Sequence, residues 1–124
     1  MGKRCIKVVT DPLNRNSARD HCKDYSADLI TLENQAKIGE IRDFMVANGH
    51  GSGNERYWTG ASQINGGWLW MNNGMTFSST SDIWCNGEPS DITEECAAIA
   101  SPTFPCIFDV VCSGTYKFVC EIQF

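Results

Sequence analysis

The chain has no long apolar run, and nothing in it approaches the ~18–20 residues that a membrane-spanning helix needs. Excess positive charge is also missing. Ten Lys and Arg stand against 15 Asp and Glu, for a formal net charge of −5. Nucleic acid and anionic membrane surfaces both reward a basic patch, so neither is expected as a partner. No C-x-x-C pair occurs, which removes the usual spacing of a zinc or thiol-redox site. Met1-Gly2-Lys3-Arg4 is not followed by the apolar segment of a secretory signal, so the chain reads as a mature domain or a truncated piece. Internal repeats and linkers are absent, and 1–124 reads as a single domain. The only two histidines, His21 and His50, have no catalytic partner nearby in sequence.

Cysteine, by contrast, is abundant. Seven in 124 residues is the usage of a disulfide framework in a secreted, extracellular protein. An odd count leaves one thiol free or bonded to another chain. Five of the seven, Cys85, Cys96, Cys106, Cys112 and Cys120, fall in the last third, interleaved with Glu88-Pro89-Ser90, Glu94-Glu95 and Asp109. Carboxylates packed between cross-linked segments suggest an ion or ligand site on a stapled loop.

The order of elements is α+β. Residues 5–9 are rich in β-branched side chains and read as a strand, closed by a turn at Asp11-Pro12. Asn16 or Ser17 can cap a helix whose apolar side is Ala18, Cys22 and Tyr25. A second helix starts near residues 31–33, shows Ile38, Ile41 and Met45 on one face, and stops at Asn48-Gly49. Short strands follow at 57–60 and 68–70 around a turn at Asn65-Gly66-Gly67, and others at 96–99, 107–111 and 117–124. Residues 72–82 read as a long irregular loop.

These residues together resemble the C-type lectin-like domain over nearly the whole chain. The match rests on Ala18-x-x-x-Cys22, on Trp58-Thr59-Gly60-Ala61, on Trp68-x-Trp70, and on Trp84 ahead of Glu88-Pro89-Ser90. The ending Asp109-x-x-Cys112-x7-Cys120-Glu121 is the most specific part. The resemblance implies two helices flanking small antiparallel sheets, with a long irregular ligand-binding loop. It implies the disulfides Cys22–Cys120 and Cys96–Cys112. Cys85 and Cys106 lie outside the family's basic set but are similar to an extra pair in a few members, fish antifreeze proteins among them, and are paired here. Cys5 is then left over, as the candidate for an interchain link in a homodimer.

The resemblance also implies one calcium ion. Calcium takes 6–8 oxygen ligands, and in this family two sugar hydroxyls complete its shell. Position by position, Glu88, Glu94 and Asp109 match acidic ligands, and Pro89 matches a proline that is cis in the family. Ser90 stands where the family has Asn or Asp, and its hydroxyl can still coordinate. Phe108 departs from the pattern, since it replaces a ligating Asn and offers no oxygen. The expected metal set is therefore Glu88, Ser90, Glu94 and Asp109, forming a single weak Ca²⁺ site. A second calcium is rejected because Gln63 stands where an acid is needed beside Asp91. The expected carbohydrate contacts are Glu88, Ser90, Asp109, Trp84 and Phe104. The plain alternative is that Glu88, Glu94 and Glu95 are solvated loop charges, and that Trp58, Trp68, Trp70 and also Trp84 are core.

The implied function is that of a secreted, non-enzymatic lectin with a role in innate recognition. It would bind terminal sugars through calcium at Glu88-Pro89-Ser90, with a lean to galactose-type sugars. The competing reading is a lectin-like domain that binds protein or ice without calcium. A glycosidase pair of Glu88 and Glu94 fits a stapled loop poorly.

Overall fold

The computed structural model describes residues 4–50, 55–91, 93–99 and 106–123. Ten elements follow in the order β1 (Arg4–Leu13), α1 (Arg15–Lys23), β2 (Asp28–Leu29), α2 (Gln35–Ala47), β3 (Tyr57–Ile64), β4 (Gly67–Trp70), β5 (Thr76–Phe77), β6 (Cys96–Ile99), β7 (Ile107–Val110) and β8 (Tyr116–Gln123). The strands run β1-β8-β3-β4-β5, with β2 added to β8 and the β6–β7 pair added to β3. The class is α+β, as expected, with two helices laid on one mixed, largely antiparallel sheet. Among the described residues no helix is long and apolar enough to cross a membrane.

Local chemistry explains the elements. Asn14, not Asn16 or Ser17, caps α1: its side-chain oxygen accepts from the Ser17 amide at 2.9 Å. Asn34 does the same for α2 through the Lys37 amide. α1 is shorter than its apolar spacing suggests, and Tyr25 falls beyond its end, 47% exposed. Asn65 (φ 53°) and Gly66 (φ 82°) form the two-residue turn of the β3–β4 hairpin, a pairing that suits the strand twist. The supposedly irregular 72–82 stretch contributes β5, whose Phe77 pairs with Trp68 and stacks on Trp70 at 4.7 Å between ring centroids. β1 extends to Leu13 through a register shift after Val9.

The core has two parts. α2 packs Ile38, Ile41 and Met45 into a cluster with Tyr57, Trp68, Trp70 and Trp84. α1 packs Ala18 and Cys22 into another with Trp58, Phe118 and Cys120. Three disulfides hold the frame, Cys22–Cys120, Cys85–Cys106 and Cys96–Cys112, with Cα separations of 5.4, 4.9 and 5.3 Å. All three pairings match the expectation. Cys5 is exposed and unpaired within the chain.

A candidate carboxylate site on the stapled loop

The segment from Ile83 to Asp91 is tied to β7 along its length. The Ile107 amide donates to Ile83 O at 2.9 Å, and the Cys85 amide donates to Ile107 O at 2.8 Å. The Cys85–Cys106 disulfide covers the same junction. A turn follows, in which the Glu88 amide donates to Cys85 O and Gly87 takes φ +85°. The Glu88-Pro89 peptide is cis, as the resemblance implies.

β7 carries Asp109 into this loop. Its residue is 3% exposed, and its Oδ2 accepts from the backbone amides of Ser90 (3.0 Å) and Asp91 (2.9 Å). The carboxylate thus clamps the 88–91 turn onto the sheet. Its other oxygen, Oδ1, and Glu88 Oε1 are buried and accept no hydrogen bond from a described residue while Glu94 is ionised, although a protonated Glu94 shares a hydrogen bond with Asp109. These are two of four such side-chain atoms among the described residues. Buried polar atoms are nearly always paired, so two such carboxylate oxygens in one loop leave acceptor capacity for a cation or an ordered water.

Glu94 completes the cluster from the loop just before β6. Desolvation pushes its carboxyl above the ordinary value, and the charges of Asp109, Asp91 and Glu88, with a hydrogen-bond contact to Asp109, push the same way. Asp91 does not join in the same manner. Its Oδ1 accepts from the Thr93 amide and hydroxyl at 2.9 and 2.7 Å, which holds its carboxyl below the usual range. Among the described residues, however, no three His, Cys, Asp or Glu side chains are arranged to hold a metal ion as they stand. The donor set fits calcium in chemistry, all oxygen with two unsatisfied acceptors, rather than in closed geometry.

The other expected site residues fall out differently. Ser90 is exposed, and its amide is what touches Asp109. Trp84 is corrected: it is 7% exposed, its indole N–H donates to Ser78 O at 3.1 Å, and its ring meets Trp68 edge-on at 4.8 Å. That ring belongs to the core and presents no face to a sugar. Phe104 lies outside the described residues. Phe108 is partly buried against the core cluster that contains Trp58, and the Arg56 guanidinium sits 5.1 Å from its ring centroid. Sequence reasoning missed the Asp109 clamp, because a backbone amide leaves no mark in residue type.

A stapled loop of acidic side chains on a two-helix α+β frame is the architecture of a lectin-type binding domain. The chain matches the Lectin C-type domain over residues 11–122, and it belongs to that family. It is 27% identical over 90 residues to mouse L-selectin, covering 71% of this chain and 23% of that protein. It therefore spans about a quarter of the length of that relative. Similarity to a lectin of the tunicate Polyandrocarpa misakiensis runs nearly end to end, at 27% identity over 94% of this chain and 93% of that one. Among solved structures, a C-type lectin from the same tunicate superposes with a TM-score of 0.80 at 23% identity, covering 98% and 99% of the two chains. A calcium-independent type II antifreeze protein also superposes, with a TM-score of 0.77 at 20% identity, covering 100% and 90%. At these identities the structural likenesses show the fold.

Proposed function

We propose that this is an extracellular carbohydrate-binding domain that uses one calcium ion on the Glu88 loop. The observation that carries the reading is the pair of orphaned buried oxygens, Glu88 Oε1 and Asp109 Oδ1, beside the raised carboxyl of Glu94. Glu88, Ser90, Glu94 and Asp109 would hold the ion, which would draw the carboxylates together and leave coordination positions for vicinal sugar hydroxyls. The lost oxygen at Phe108 makes the site weak, in the ~10⁻⁴–10⁻³ M range of extracellular modules. Glu-Pro-Ser at 88–90 supports a galactose-type preference through the family resemblance. Three disulfides support an oxidising, extracellular setting. Exposed Cys5 on β1 supports a homodimer, whose paired sites would add avidity.

Binding to a glycan array with and without chelator tests this. Galactose-type signals that vanish with chelator are expected. A second reading, binding of protein or ice without calcium, is favoured by Phe108, whose ring is committed to packing under Arg56. An array that is blank in both conditions supports that reading and removes the first.

A further inference from the structure

Asparagine precedes glycine four times in the chain, at Asn48-Gly49, Asn65-Gly66, Asn73-Gly74 and Asn86-Gly87. Glycine has no Cβ to crowd its amide nitrogen, so that nitrogen can reach the Cγ of the asparagine before it. The fold treats the four pairs differently. Gly49 N donates to Val46 O at 3.1 Å, and Asn48 Nδ2 donates to Phe44 O at 2.8 Å. Gly74 N donates to Trp70 O at 2.7 Å, and Asn73 Oδ1 accepts from the Met75 amide at 2.9 Å. In both pairs the attacking nitrogen and the attacked side chain are tied down. Asn65-Gly66 lacks such bonds, but it is the turn of a hairpin whose ladder closes at once, with Ile64 opposite Gly67 and Gln63 opposite Trp68. Asn86 and Gly87 are both exposed, and neither the Gly87 amide nor the Asn86 side chain forms a hydrogen bond to a described residue. Their turn is closed by one bond, from Glu88 N to Cys85 O at 2.9 Å.

We infer that Asn86 is a self-modification site, which loses its side-chain amide to solvent while the fold protects the other three pairs. The Gly87 nitrogen gives its proton to solvent and bonds to Asn86 Cγ. The Cγ–Nδ2 bond breaks, and Nδ2 takes up a proton and leaves as ammonia. Water then opens the five-membered imide at one of its two carbonyls. One opening gives aspartate, and the other gives isoaspartate, whose Cβ lies in the main chain. Water is the only co-reactant. Either product adds a carboxylate two residues before Glu88, on the turn that leads into it. The inference does not depend on calcium, and the test runs in chelator so that the two readings fail separately. The folded wild type is aged in near-neutral buffer beside the same protein reduced and unfolded in guanidinium, and each asparagine is followed by peptide mapping with mass spectrometry. Unfolded, all four should convert at comparable rates, since glycine follows each. Folded, Asn86 should convert first, with Asn65 behind it and with Asn48 and Asn73 slowed by roughly tenfold or more through their hydrogen bonds. On isoelectric focusing, Asn86→Gln should lack the early acidic species and Asn65→Gln should keep it. Conversion of another of these asparagines ahead of Asn86 in the folded protein, no conversion of Asn86, or an early acidic species that persists in Asn86→Gln overturns the inference.

Discussion

Lys37 is the residue whose burial is least expected from its type. It is 4% exposed, and its ammonium lies 2.8 Å from Glu121 Oε1, itself on a residue 3% exposed, with Glu33 at 3.5 Å. Removing one partner of a buried pair costs about 3–5 kcal/mol, because the other charge stays desolvated. Lys37→Ala should lower stability by about that much in denaturant unfolding, and a loss below about 1 kcal/mol would show the pair to be dispensable. Gly60 is constrained by backbone rather than by charge. A Cβ there would stand 3.0 Å from Leu29 O and 3.2 Å from Ile30 O, while its amide donates to Ile30 O at 2.9 Å. Gly60→Ala should therefore cost about 1–3 kcal/mol, the range of an overpacked core. The raised carboxyl of Glu94 has a definite sign as well. Its ionised form is disfavoured in the folded state, so the calcium-free protein loses stability as pH rises from the ordinary carboxylate value of 4.5 through the raised one. In chelator, Glu94→Gln should flatten that part of the curve of Tm against pH.

At the scale of elements, the legible parts were those with periodic or strongly typed signals. The α2 face of Ile38, Ile41 and Met45 and the Asn65-Gly66 turn stand where their residue types direct them, and the cysteine pairs are those the family resemblance implies. What was not legible depended on partners distant in sequence. Tyr25 fits the spacing of α1 yet lies past its end, where the chain turns at Ser26 with φ +59°. β5 is two residues long, and it exists because Phe77 finds Trp68, Trp70 and Trp84. For the site, the acidic positions came from the family resemblance, whereas the Asp109 clamp on two amides and the burial of Trp84 were not legible from it. The loop itself is stapled to the frame. Cys85–Cys106 closes a separation of 21 residues, worth about 3 kcal/mol in loop entropy. A Cys85→Ala/Cys106→Ala double variant should lose about that stability and bind calcium more weakly, as followed by thermal unfolding with and without the ion.

For the whole molecule, the sheet gathers helix, loop and chain end into one unit. Cys22–Cys120 spans a separation of 98 residues, for a contribution of about 4–5 kcal/mol in the same entropic account. β1 pairs only with β8 among the described residues, which leaves its outer edge and the exposed Cys5 available to a second copy. Light scattering should find a dimer. Comparison with Cys5→Ser separates a covalent dimer from a packed one, and a monomer in both proteins contradicts the assembly. The central claim, that the orphaned oxygens of Glu88 and Asp109 await calcium, is tested most directly by the melting temperature during calcium titration of the wild type and of Glu88→Gln. With calcium at about 100 times its dissociation constant, the wild type should gain about 2.7 kcal/mol and melt several degrees higher. Glu88→Gln should show no rise. An unchanged Tm in the wild type, or an equal rise in the variant, would contradict the account.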